Sequence, residues 1–222
     1  MICKMFSKKI ITIILLFHCF STALFAQSDA KAVEILSKVS ENYKSLNGFT
    51  GLFEYSYSTE DEGLIQTNTG NVTVKGNKYR LTLDDQEIFN NGKTVWTLIK
   101  STKYKEVTIN NVEDDVDELT PSNVYNIYKK GYTSQLIGSS EINGTPAHEI
   151  LLTSDKANAR FKRIKLYIDK AKNEILAWEI KDDVGGTFKY TFKELNPNVK
   201  IVDDYFVFKV SENQDVEVID LR

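Results

Sequence analysis

A period of two, recurring from residue 49 to about residue 210, is what most narrows the fold of this chain. In Lys78-Tyr79-Arg80-Leu81-Thr82-Leu83 the odd positions are apolar and the even ones polar. Phe188-Lys189-Tyr190-Thr191-Phe192-Lys193 alternates in the same way, as do Phe49/Phe53/Tyr55/Tyr57, Ile164/Leu166/Ile168 and Leu176/Trp178/Ile180. Such a period marks strands with one wet and one dry face. Repeated this often, it predicts an antiparallel sheet with one large apolar surface. Shared parity assigns Phe53, Tyr55, Tyr57, Val72, Val74, Tyr79, Leu81, Leu83, Trp96, Leu98, Leu166, Ile168, Trp178, Phe188, Tyr190 and Phe192 to that surface. So aromatic a face is either core beneath something packed on it or a place for a greasy ligand.

Residues 1–26 read as a cleaved secretory signal. Lys4, Lys8 and Lys9 precede an apolar stretch over 10–20, and Ala23-Leu24-Phe25-Ala26 gives a cleavage context before Gln27. The apolar stretch, interrupted by His18, is shorter than the ~20 residues of a spanning helix. Phe17, His18 and Phe20 around Cys19 do not make a lipobox. Cleavage removes Cys3 and Cys19, so the rest, a single domain over 27–222, must be stabilised by packing and not by disulfides. It also removes three lysines and no acid, which takes the net charge from −3 to −6. That balance argues against nucleic acid as a partner.

Two helices are expected. Ala32, Ile35, Leu36, Val39, Tyr43 and Leu46 form one stripe, with Ser28 as N-cap and Gly48 closing the helix. Thr120-Pro121 opens a second helix of about three turns over 120–130, with Val124, Tyr125, Ile127 and Tyr128 as its stripe. Strands are expected near 49–60, 64–74, 78–83, 87–90, 94–100 and 103–110, then near 133–141, 146–153, 161–169, 174–182, 186–195 and 204–210. Turn residues such as Asn90-Asn91-Gly92 and Asn143-Gly144 punctuate them. The fold class is therefore mainly β (α+β): a strongly curved antiparallel sheet forming an incomplete, half-open barrel of about 11–12 strands. Its apolar concave face is covered by short helices too few to fill it, which leaves room for a cavity.

Little in the chain points to catalysis. His148 alternates with Ile150 and Leu152, which suits a partly buried structural role. No cysteine nucleophile, metal-spaced cluster or phosphate-binding glycine loop is evident, so no enzyme, metal or cofactor is expected. The acidic run 113–118 lacks the spacing of a calcium loop and reads as a solvated loop. Asp114-Asp115 and Asp203-Asp204 point to opposite faces of an extended chain and make poor acid/base pairs.

A family resemblance emerges from the order of segments. A short amphipathic helix precedes Gly70-Asn71-Val72-Thr73-Val74-Lys75, Lys78-Tyr79-Arg80-Leu81 and Asn91-Gly92-Lys93-Thr94-Val95-Trp96; after a mid-chain helix comes Phe206-Val207-Phe208-Lys209-Val210 with Asp215-Val216 behind it. This order resembles the periplasmic outer-membrane lipoprotein carrier (LolA) family. The resemblance implies a half-open barrel with a helical lid, here Val124, Tyr125, Ile127 and Tyr128, whose apolar face holds acyl chains. It implies a carrier in the periplasm that takes lipoproteins from an inner-membrane lipoprotein-releasing ABC transporter to an outer-membrane lipoprotein receptor. A sensor of lipoproteins, or a binder of another greasy ligand, is the alternative on the same fold, and a purely structural β-protein a third. Where the family has Lys-Arg-Pro, this chain has Lys75-Gly76-Asn77. The family arginine ties the lid to the barrel; with Gly76 there, Arg80 and Lys78 are the nearest replacement donors.

Overall fold

A computed structural model of the chain describes residues 29–100, 104–112, 119–156, 159–181, 185–213 and 215–222. The expected signal segment, Ser28 and the acidic run 113–118 lie outside the described residues. Helix α1 (Ala30–Ser45) leads into β1 (Phe49–Thr59), β2 (Gly63–Lys75), β3 (Lys78–Thr82), β4 (Gln86–Asn90), β5 (Thr94–Lys100) and β6 (Lys105–Asn111). A 3₁₀ turn, Val124–Lys129, separates these from β7 (Tyr132–Ile142), β8 (Thr145–Ser154), β9 (Arg163–Asp169), β10 (Ile175–Lys181) and β11 (Thr187–Pro197). Two further 3₁₀ turns, Asp203–Phe206 and Val210–Glu212, precede β12 (Glu217–Asp220).

The strands form one curved, open sheet in the order β12-β6-β5-β4-β3-β2-β1-β11-β10-β9-β8-β7. Two antiparallel meanders, β1–β6 and β7–β11, meet where β1 pairs with β11; β12 adds a parallel edge beside β6. Register shifts at Leu52/Phe53, Tyr57/Ser58, Leu136/Gly138 and Ile175/Ala177 interrupt the ladders. Such bulges bend strands and sharpen their twist, so they help to curve the sheet.

On the concave face one continuous row, Tyr55–Tyr190–Trp178–Leu166–Ile150–Leu136, runs straight across six strands. Tyr55, Tyr190, Trp178 and Leu166 follow the parity read from the sequence, because facing residues of paired strands share a face. Helix α1 buries Ala32, Ile35, Leu36, Val39 and Tyr43 in the core formed on this face. The helix is pinned at both ends. Asp29 is its N-cap, accepting from the Lys31 amide at 2.8 Å; it also pairs with β7, donating to the Ser134 carbonyl and accepting from the Leu136 amide. At the far end the Tyr43 ring stacks on Tyr125 at 5.0 Å and meets Phe49 edge-on, while its hydroxyl accepts from the Ile175 amide.

Several sequence expectations need correction. The N-cap is Asp29, and the helix ends at Leu46 in extended conformation; Gly48 instead admits the chain against β2, where a Cβ would lie 2.9 Å from the Val74 carbonyl oxygen. The three-turn helix over 120–130 is a turn at 121–123 followed by the 3₁₀ segment. Asn123 Oδ1 accepts from the Thr120 amide and closes that turn before an α-helix can start. The expected strand at 204–210 is an irregular link between the Asp203–Phe206 and Val210–Glu212 3₁₀ turns, and β12 lies outside the expected strands.

The largest correction concerns Trp96 and Leu98. Arg80 faces Phe89, which faces Trp96, which faces Ile109. Trp96 and Leu98 therefore belong to the convex face, opposite to Leu81. There they form a second cluster with Phe89, Val107, Ile109 and Phe208. The sheet has two dry faces at this end because the C-terminal segment crosses over the convex one.

Candidate functional site

The concave face is only partly filled. Helix α1 and the Val124–Lys129 turn pack together and against β7. Beside them, over β1–β3, β10 and β11, lies a cavity of about 470 Å³. Its lining is Phe53, Tyr55, Val72, Leu81, Leu83, Gln86, Leu119, Pro121, Arg160, Phe161, Trp178, Ile180, Phe188, Tyr190 and Phe192. Trp178 and Tyr190 stack at 4.9 Å, Tyr55 and Tyr190 at 6.0 Å, and Phe192 meets Trp178 edge-on at 5.8 Å. Burial, with a smaller contribution from Tyr55, raises the Tyr190 phenol above its ordinary pKa, so it stays a neutral hydroxyl.

Two strand glycines make room for these rings. A Cβ on Gly70 would lie 2.6 Å from Phe53 and 2.8 Å from Leu83; one on Gly51 would lie 2.7 Å from Phe192. A glycine inside a strand marks this kind of close approach.

Of the residues assigned to the dry face, Phe53, Tyr55, Val72, Leu81, Leu83, Trp178, Phe188, Tyr190 and Phe192 line the cavity. Val74, Tyr79, Leu166 and Ile168 lie on the same face but are buried in the core. Tyr57 packs at a tilt against Phe188, with 4.6 Å between ring centroids, and is outside the lining. Trp96 and Leu98 are on the opposite face. The sequence reading left out Ile180, although it shares the parity of Trp178, Gln86 at the start of β4, and the loop residues Leu119, Pro121, Arg160 and Phe161, which carry no periodic signal.

The lid residues are placed differently from expectation. Val124, Tyr125 and Ile127 are buried in the main core, and Tyr128 packs against it; none of the four lines the cavity. Ser40 of α1 donates to Asn126 Oδ1 at 2.6 Å and accepts from Lys129 Nζ at 3.1 Å. The chain reaches the cavity from this side through Leu119 and Pro121 instead.

Arg80 and Lys78 hold the C-terminal segment, not the Val124–Lys129 turn. The Arg80 guanidinium lies between the Phe89 and Tyr205 rings, 4.4 and 4.7 Å from their centroids, and donates to Glu87 at 2.9 Å. Lys75 and Lys78 both reach Asp203, at 2.8 and 2.7 Å. Burial alone would raise the Glu87 pKa, but hydrogen bonds from Lys100 and Arg80 outweigh it and hold the carboxyl below its ordinary range. Gly76 occupies a left-handed turn position (φ 60°) between β2 and β3. A second cavity of about 570 Å³ lies under this segment, but ion pairs such as Glu87–Lys100 and Asp204–Lys209 occupy its charged walls. Among the described residues no group of His, Cys, Asp and Glu could hold a metal, and no helix is long and apolar enough to cross a membrane.

Comparison with known proteins agrees with this geometry. No curated protein matches the sequence. Among solved structures, an uncharacterized conserved protein from Thermus thermophilus is similar with a TM-score of 0.56 at 15% identity, covering 86% of this chain and 99% of that one. That likeness is one of fold. The Mycobacterium tuberculosis lipoprotein LppX gives a TM-score of 0.48 at 14% identity, covering 80% of this chain and 100% of that one. A LolA superfamily protein from Nitrosomonas europaea gives 0.43 at 12%, covering 80% and 97%. The family model described as outer membrane lipoprotein carrier protein LolA matches residues 44–209, the span that contains every strand around the cavity. The chain belongs to the LolA family.

Proposed function

We propose that this protein is a periplasmic lipoprotein carrier. It holds acyl chains in the concave cavity, receives them from a lipoprotein-releasing ABC transporter of the inner membrane and passes them to a receptor at the outer membrane. Residues 1–26 serve as the cleaved signal that brings it there. The observation that carries the reading is the aromatic cavity beside the Trp178–Tyr190–Tyr55 stack, left open where the helical layer stops. A lipid chain needs such a surface and few polar anchors, since each buried methylene contributes about 0.8 kcal/mol. A carrier also has to release its cargo, which suits a partly open site better than a sealed core. Family membership supports the same reading.

The test is a transfer assay. The purified chain, mixed with inner-membrane vesicles bearing an acylated lipoprotein, should yield a soluble one-to-one complex. It should not retain the same polypeptide with its lipidated cysteine replaced by serine. Equal retention of both forms would overturn the reading.

A further inference from the structure

The first part of β2 is paired on one side only. Over 71–75 the strand pairs with both β1 and β3. β3 ends at Thr82, so among the described residues 63–70 pair with β1 alone. The register shift at Tyr57/Ser58 limits the regular part of this edge to 66–70. A two-residue turn, Gly76-Asn77, joins β2 to β3 and is closed by the Lys75–Lys78 pair. Successive residues of an antiparallel ladder aim their backbone groups alternately at its two sides. Residues 71, 73 and 75 therefore bond to β3, and Thr67 and Thr69 aim their N–H and C=O groups outward.

Both ends of the sheet are blunted, and this edge is not. Asp29 covers the start of the β7 edge through Ser134 and Leu136, and a bulge follows at Leu136/Gly138. β12 is four residues long and begins and ends on an acid, Glu217 and Asp220. Cover, bulges, shortness and charge are how exposed strand edges avoid pairing. Gln66-Thr67-Asn68-Thr69-Gly70 holds neither charge nor proline. The edge also begins at the cavity. Gly70 lies close against Phe53 and Leu83 of the lining, and Asn68 is paired with Tyr55, which lines it too. The Asn68 side-chain nitrogen is buried without a hydrogen-bond partner. A buried donor left unpaired marks a place for an acceptor.

We propose that the open edge of β2 binds the extended polypeptide segment that follows the acylated residue of the cargo, as an added antiparallel strand. A chain whose acyl group sits in the cavity leaves past Gly70 and runs out along Thr69 and Thr67, opposite in direction to β2. A carbonyl near its acylated end is the acceptor that Asn68 lacks. Strand addition is held by main-chain hydrogen bonds, so one edge serves cargo of differing sequence. The inference rests on the reading of the cavity as an acyl-chain site and adds a second contact for the same cargo.

The experiment titrates the purified chain with two ligands: palmitoyl-cysteine amide, and the same acylated cysteine followed by a short run of alternating serine and threonine. A tethered segment is presented at an effective concentration on the order of millimolar, so the longer ligand should bind about fivefold more tightly. Backbone N-methylation of alternate peptide residues should abolish that gain in one register and spare it in the other, because only one set faces β2. Thr69→Pro removes an outward N–H, where an edge strand tolerates proline. It should cancel the gain and leave binding of palmitoyl-cysteine amide unchanged. Identical effects of the two methylated registers, or a gain that survives Thr69→Pro, would overturn the proposal. So would a dimer in solution that Thr69→Pro dissociates, since a second copy would then occupy the edge. Should Thr69→Pro fail to fold, the two methylated registers decide alone. If both ligands bind equally, this inference fails and the carrier reading stands. If neither binds, both fail.

Discussion

Gly70 lies directly across the β1–β2 pair from Phe53, and the space that a side chain on Gly70 would take is filled by the Phe53 ring. The ring stands 6.3 Å from Tyr190 and 6.4 Å from Tyr55, so it has little freedom to retreat. Gly70→Ala should therefore cost about 1–3 kcal/mol, the usual range for overpacking a filled site. It should also weaken uptake of a fluorescent acyl probe. Exposed Thr69 next to it is the control, with Thr69→Ala expected within about 0.5 kcal/mol of the parent. Urea denaturation and probe titration check both numbers.

Leu81 and Leu166 share the concave face but not its environment. Leu81 is half-buried and lines the cavity, whereas Leu166 is 1% exposed within the core. Leu81→Glu should leave a folded protein that no longer takes up acyl chains, because a carboxylate at a cavity wall can be hydrated. Leu166→Glu should fail to accumulate as folded protein, since a buried unpaired carboxylate costs several kcal/mol. Circular dichroism of the two variants, followed by lipid binding for any that folds, separates cavity from core.

Trp96 makes the converse test. Its cluster with Phe89 and Phe208 is on the convex face, away from the cavity. Trp96→Ala should cost about 3–5 kcal/mol, as large aromatic truncations do. Acyl binding per folded molecule should not change. A loss of binding with no loss of stability would mean that Trp96 acts at the site.

Acid should loosen the C-terminal segment first. Hydrogen bonds from Lys75 and Lys78 lower the Asp203 pKa to about 2. A carboxyl depressed on folding contributes stability that is complete above its unfolded pKa of about 4. That contribution is lost as pH falls through the folded value, so the window is from about pH 4 down to about pH 2. Pepsin digestion followed by mass spectrometry should give cuts around Tyr205 and Phe206 at pH 2 that are absent at pH 4. Asp203→Asn should shift the onset of those cuts to higher pH.

Parity within a strand was legible in the sequence because it depends only on the pleat. The face to which that parity belongs was legible where a strand meets water on one side. On β1, β10 and β11 the polar partners Glu54, Glu179 and Lys189 mark the outside, and the aromatic wall could be read. On β5 the rule fails: Trp96 and Leu98 look like inner residues until the register through Phe89 places them beside Arg80. What covers them is Phe208, far along the chain, and no local pattern announces that contact. The alternation at 204–210 misled for a related reason. Its apolar residues are held by long-range partners while Asp203 and Asp204 are tied to lysines, and the backbone turns. Arg160 and Phe161 sit in a loop, where neither period applies.

The way the two meanders join also orders the chain's assembly. Strands β1 to β6 pair with their neighbours in sequence, and so do β7 to β11, but Phe49 must wait for Pro197 and Tyr55 for Tyr190. Loop closure over that distance costs more entropy than any hairpin, and contacts between distant residues are the slow ones in folding. Neither meander contains a whole cavity wall, because Phe53 and Tyr55 come from one and Trp178, Tyr190 and Phe192 from the other. The concave cavity is thus enclosed only by the pairing of β1 with β11, the most distant strand pairing in the sequence.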